Sequence, residues 1–214
     1  VAQMKRGRRW PEKRVEYMRP GEEDESMSED EICGLWQRNG AVASARGTLL
    51  HWHAECHLNG LGVEAPHSPE FCQLLCVEER LREMGYTAFR TEVCLMHCGL
   101  VLAGQLDALF RHDVSGALCL ADWKRTKKIE FDNRFRSLKE PLESLDSANG
   151  CLYAMQLNIY AYILESEYGY SVAKMYLAQV HPSLGRPPGS KGISRCRRSE
   201  DGSVAYIRVR VSLR

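Results

Sequence analysis

No uninterrupted apolar run in the 214 residues approaches the roughly twenty needed to cross a bilayer, so no membrane association is expected. The chain also lacks a strong net charge, with a formal value of +1. That excludes a uniformly basic protein that coats nucleic acid, but not local basic patches. No C-x-x-C pair is present, so neither a zinc ribbon nor a redox dithiol is expected. The nine cysteines, an odd number without paired spacing, read as mostly reduced core residues of an intracellular, reducing compartment. Cys72 and Cys76 fall in a predicted helix, and Cys94 and Cys98 beside a predicted strand, where packing is expected rather than metal binding. There is no internal repeat and no long low-complexity tract. The basic opening MKRGRRWPEKR lacks the apolar stretch of a secretory signal, and a start at Val1 is expected of a segment excised from a longer protein.

What is present suits one soluble α/β domain with extended ends. Positive charge concentrates in Lys5 to Arg19, Lys124 to Lys139 and Arg195 to Arg198, and Glu22 to Glu31 is acidic. Ser28-Glu29-Asp30-Glu31 is a capping-box pattern that predicts a short helix to about Asn39. A second helix is predicted from Ala41 to Asn59-Gly60, and a third from Ser68-Pro69 to Gly85. Then TAFRTEVCLMH, LVLAGQLDALF and ALCLADW read as three consecutive antiparallel strands. Arg125 to about Asp146 reads as a basic loop, Ser147 to Tyr168 as an amphipathic helix, and SVAKMYLAQVH as a further strand. Pro182 to Gly192 reads as loop, and SVAYIRVRV as a last, peripheral strand.

Asp122 and Lys124 lie two apart on a predicted strand and so point to the same side of the sheet. Asp107 sits near the end of the preceding strand, and a hairpin would bring its carboxylate near that of Asp122. Two carboxylates held together repel unless a cation separates them, and a hard divalent ion with oxygen ligands fits. By itself such a D-x-K triplet is most often a surface ion pair. His51 and Glu55 are four apart on one helix face, where a histidine can complete an oxygen-rich metal site. Glu92, in RTEV at the start of the first strand, is a weaker candidate for the outer shell. Gln156 and Tyr160, four apart on the later helix, suit either a satisfied core hydrogen bond or contact with a phosphate or base.

Taken in order, these segments resemble the RecB-like exonuclease branch of the PD-(D/E)XK nuclease superfamily, over about Gly47 to Pro182. GTLLHWHAE is similar to its histidine-glutamate helix, LAGQLDALF to its metal-binding aspartate strand, LADWKRTKKI to its signature strand, and QLNIY to its glutamine-tyrosine helix. The resemblance implies a restriction-endonuclease-like core, a central mixed sheet flanked by helices in the order αβββαβ. It implies a nuclease core at 41–182, a basic and acidic extension with a short helix at 1–40, and a loop with a peripheral strand at 183–214. The metal ligands would be His51, Asp107, Asp122 and the Trp123 carbonyl, holding one or two Mg2+ or Mn2+ ions. Lys124, Asp122, Asp107 and Glu55 would be catalytic, and Gln156, Tyr160, Arg125, Lys127 and Lys128 would bind substrate.

Some members carry an iron-sulfur cluster on four cysteines, three of them after the core; here only Cys196 follows Tyr160, so no cluster is expected. The expected activity is hydrolysis of phosphodiester bonds in DNA, by an exonuclease acting on ends or single strands. The expected partner is nucleic acid, DNA before RNA, with a place in a larger replication, repair or recombination complex. An endonuclease, on DNA or on RNA in the cap-snatching manner, and a catalytically silent nucleic-acid-binding module on the same fold stay open.

Overall fold

The capping box at Ser28 forms: Glu31 N donates to Ser28 Oγ at 3.2 Å, and Ser28 N donates to Glu31 Oε2 at 2.7 Å. It starts helix α1 (Glu29–Leu58) in a computed structural model that describes residues 27–62, 68–133, 136–184 and 206–208. The chain divides into two units, Val1–Thr48 and Leu49–Arg214. In the first, the described part is 27–48, the opening turns of α1. The sequence pattern predicts a break near Asn39 to Ala41, but one helix of 30 residues runs through. Gly40 does not adopt the left-handed φ that ends helices, and nothing lies within 4 Å of the place its Cβ would take. It costs helix propensity, about 1 kcal/mol relative to alanine, without stopping the helix. The basic runs Lys5 to Arg19 and Arg195 to Arg198, the start of the acidic stretch, and Cys196 lie outside the described residues.

The second unit continues with α2 (Pro69–Glu83), β1 (Tyr86–His97), β2 (Leu102–His112), β3 (Leu118–Arg125), α3 (Asn149–Ser166), β4 (Val172–Val180) and the short β5 (Tyr206–Arg208). As predicted, Ser68 caps α2, its Oγ accepting from Phe71 N at 3.2 Å, and Pro69 takes the first helical position. Gly85 and Gly169, at φ +80° and +68°, close the turns after α2 and α3. Of the predicted last strand, only Tyr206–Arg208 lies within the described residues.

The strands form one mixed sheet in the order β1-β2-β3-β4-β5. The first three pair antiparallel, β3 and β4 parallel through α3, and β5 antiparallel to β4. Residue alternation sorts the two faces. Cys119, Ala121 and Trp123 of β3, with Tyr176, Ala178 and Val180 of β4, pack against Leu50 and Ala54 of α1 and Phe71, Leu74, Val77 and Leu81 of α2. Leu118, Leu120 and Leu177 pack the other way, against Leu157, Ile163 and Leu164 of α3. The unit is therefore α/β, a mixed sheet flanked by helices. On β2 the alternation slips at Asp107, because Ala108 and Phe110 belong to the first face and both Leu106 and Leu109 to the second.

The segment after β3 is irregular, as its sequence predicts. Its start is held by Gln179 Nε2, which donates to the Lys127 carbonyl at 2.8 Å, and its end by a bridge between Ser137 and Asp146. Among the described residues no helix is long and apolar enough to cross a membrane. Seven described cysteines are free thiols, but of these only Cys56 and Cys119 are buried. The expectation that most cysteines lie in the core therefore needs correcting: Cys33, Cys94 and Cys98 are exposed, and Cys72 and Cys151 are only partly buried.

Candidate metal centre

Strand register brings three carboxylates to one rung. Thr91 pairs with Ala108 and Val93 with Leu106, so Glu92 stands across from Asp107. Ala108 pairs with Ala121, and one step further along the same register Asp107 stands across from Asp122. At this rung regular pairing of β2 and β3 ends, and the Trp123 N–H donates to the Asp107 side chain instead, at 2.6 Å to Oδ2. Glu92 adopts φ +47°, a left-handed conformation that a non-glycine residue takes at a cost of about 1–3 kcal/mol.

His51, on α1, faces this rung. Its Nε2 lies 3.2 Å from the Trp123 carbonyl oxygen. A carbonyl only accepts, so Nε2 carries the proton and Nδ1 is turned inward. Nδ1 lies 3.3 Å from Asp107 Oδ1 and 3.8 Å from Glu92 Oε1. One donor atom from each of His51, Glu92 and Asp107 fits within 4.8 Å of the others.

Each carboxylate is anchored by one oxygen and offers the other. Asp107 Oδ2 takes the Trp123 N–H, leaving Oδ1 for the centre. Glu92 Oε2 takes a 2.6 Å hydrogen bond from Gln105 Nε2, leaving Oε1. An unprotonated Nδ1 aimed at two carboxylate oxygens needs a positive charge between them, either a proton on the ring or a cation. Without a metal the proton serves: burial alone would lower the His51 pKa, but the Asp107 hydrogen bond and the charges of Asp107, Glu92 and Asp122 raise it. The Glu92 carboxyl is likewise pushed up, by burial and then by the charge of Asp107. A histidine whose second nitrogen is fixed by a backbone carbonyl, beside two inward-turned carboxylate oxygens, is a donor set suited to a divalent cation.

Asp122 is 1% exposed. Burial and the charge of Asp107 lift its pKa to about 6, against the opposing pull of Lys124. Lys124 Nζ lies 2.7 Å from Asp122 Oδ2 as an ion pair, yet that oxygen is buried without hydrogen-bond geometry to any partner. Behind the lysine, Gln156 Oε1 lies 3.4 Å from Nζ, and Gln156 Nε2 donates to the Tyr160 hydroxyl at 2.8 Å. Tyr160 is buried and reaches this position over Gly104 of β2, where a Cβ would overlap its ring and come within 2.8 Å of its hydroxyl.

The sequence-predicted residues therefore divide. His51 and Asp107 converge as expected, and Lys124, Gln156 and Tyr160 form one chain leading to Asp122. The Trp123 carbonyl, expected as a ligand, sets the His51 ring. Glu55 contributes charge near Glu92 but is not one of the three converging groups. Glu92, expected only in the outer shell and at a strand start, is in mid-strand and one of the three. Sequence spacing undervalued it because its place depends on the β1–β2 register. Arg125, expected on substrate, is instead held by Glu70, with Nη2 and Nε at 3.0 and 3.1 Å from Oε1 and both side chains almost enclosed. Lys127 and Lys128 are exposed, and Lys128 pairs with Glu130 at 2.6 Å.

No protein-family model matches the sequence, and no curated protein matches it either.

Proposed function

We propose that the chain is a metal-dependent nuclease of the PD-(D/E)XK type that hydrolyses phosphodiester bonds in DNA, as an exonuclease on ends or single strands. The observation that carries this reading is the convergence of His51, Glu92 and Asp107 beside a buried aspartate-lysine pair. Three carboxylates on one rung repel one another, and that arrangement is stable when a hard cation is shared between them. A lysine at the same place adds a donor for an anionic substrate. Acidic oxygens with one lysine suit phosphoryl chemistry better than acyl transfer, which would call for a nucleophilic side chain that this cluster does not contain.

His51, Asp107, Glu92 and Asp122 would hold magnesium or manganese. A bound ion of that kind supplies a lowered pKa for water and charge to offset the leaving oxygen. Lys124 would orient the attacking water and donate to a non-bridging phosphate oxygen. Gln156, fixed by Tyr160, would limit where the lysine points, and Glu55 would add negative charge that favours a divalent over a monovalent ion. Exposed Lys127 and Lys128 would meet flanking phosphates, so binding would weaken steeply with salt and depend little on sequence.

The test is cleavage of end-labelled single-stranded, linear duplex and circular DNA, and of RNA, with manganese or magnesium. The wild type should degrade linear DNA from its ends, and Asp122→Asn and Lys124→Met should lose cleavage while keeping the wild-type circular dichroism spectrum. Cutting of circular DNA or of RNA would move the assignment to an endonuclease. Nucleic-acid binding without turnover would make the chain a binding module, and undiminished activity in either variant would overturn the mechanism.

A further inference from the structure

We propose that Tyr153 is a positioning residue that keeps the Lys124 ammonium aimed at the centre when Asp122 turns to a cation, a role that rests on the nuclease reading of this site. Three groups surround Lys124 Nζ. Asp122 Oδ2 lies at 2.7 Å, Gln156 Oε1 at 3.4 Å, and the centroid of the Tyr153 ring at 4.8 Å with the ammonium over its face. The first of these contacts cannot persist in full. A divalent ion held by His51, Glu92 and Asp107 would compete with the lysine for the Asp122 carboxylate, whose buried Oδ2 is held by the Lys124 ion pair alone.

The second contact is too long to hold a four-carbon side chain alone, because ordinary N–H···O bonds span about 2.7–3.2 Å. The amide nitrogen of Gln156 is already committed to Tyr160. The Tyr153 ring is the contact that survives. Its face attracts an ammonium through the ring quadrupole, carries no charge that a metal would draw away, and lies within the range of about 6 Å over which such pairs act. The ring is also fixed, being packed against the core on the α3 side, and it lies three residues before Gln156, so both project from one face of the helix.

The role separates the ring from the hydroxyl. Tyr153→Phe keeps the ring face, whereas Tyr153→Leu keeps apolar volume and removes it. In proton NMR of the whole chain, the Lys124 methylene and ε-proton signals should be shifted upfield by the ring current in the wild type and in Tyr153→Phe. They should return to ordinary lysine positions in Tyr153→Leu. Adding magnesium chloride without nucleic acid should leave the upfield shift in place in the wild type. In cleavage assays Tyr153→Leu should lower kcat about tenfold with little change in KM, and Tyr153→Phe should match the wild type. The inference is overturned if magnesium abolishes the upfield shift, if Tyr153→Leu turns over like the wild type, or if Tyr153→Phe loses as much as Tyr153→Leu. A persistent shift in a wild-type protein that cuts no nucleic acid would sink the nuclease reading while supporting the ring's hold on Lys124.

Discussion

Glu92 stands directly across the β1–β2 ladder from Asp107, and both turn a carboxylate oxygen toward the same nitrogen of His51, at 3.8 and 3.3 Å. The two acids come from strands joined by a hairpin, and each is braced by a neighbour that leaves one oxygen unused. That arrangement costs free energy through like-charge repulsion and through the left-handed backbone at Glu92.

Manganese should therefore raise the melting temperature of the wild type, corresponding to about 2.7 kcal/mol at a hundredfold excess over Kd. Asp107→Asn and Glu92→Gln should lose most of that increase. Without metal Glu92→Gln should be at least as stable as the wild type, since burial and the charge of Asp107 outweigh the attraction of His51 at that carboxylate. Thermal melts with and without manganese check both halves, and a full metal response in Glu92→Gln would remove that residue from the centre.

Gly104 is the second test, because it makes room for the Tyr160 ring. Gly104→Ala should destabilise the chain by about 1–3 kcal/mol through overpacking and displace the Gln156–Tyr160 pair. Urea unfolding gives the first quantity. Cleavage by the folded fraction gives the second, which should fall even where the fold survives.

A third expectation concerns the ion pair of Glu70 and Arg125, whose side chains are 11% and 9% exposed. Glu70→Ala leaves an enclosed guanidinium without its partner and should cost about 3–5 kcal/mol in urea unfolding. A loss below 1 kcal/mol would mean that Arg125 finds another partner or reaches water.

The acid limb of stability should report on Glu78. Burial alone would raise its pKa, but the hydrogen bond and charge of His57 and the contact with Arg82 outweigh it and leave the carboxyl below 4.5. A carboxyl with a lowered folded pKa contributes stability that is present above its unfolded value and lost as pH falls through the folded one. Glu78→Gln should flatten the stability profile below about pH 4.5, as measured by urea midpoints across that range. An unchanged slope would show that the pair with His57 contributes nothing.

Much of the frame was legible because it is local. The Ser28 capping box, Ser68-Pro69 before α2, the glycines after α2 and α3, and the alternation of β3 each depend on residues within one or two turns or a single strand. Spacing placed Asp122 with Lys124, and Gln156 with Tyr160, for the same reason: the periods of strand and helix fix which side chains share a side. The continuity of α1 was not legible, since Gly40 reads like a break and only its backbone conformation says otherwise.

By itself, the sequence determined the order of elements, the Asp122–Lys124 side of β3, and His51 and Asp107 as candidates for one site. The tertiary structure alone decided that Glu92 joins them, that the Trp123 carbonyl orients His51, and that Arg125 is held by Glu70. The physical reason is distance along the chain. Glu92 reaches the centre through the register of β1 on β2 and through a φ of +47°, and Arg125 meets a residue 55 positions away, so neither leaves a periodic trace in the sequence.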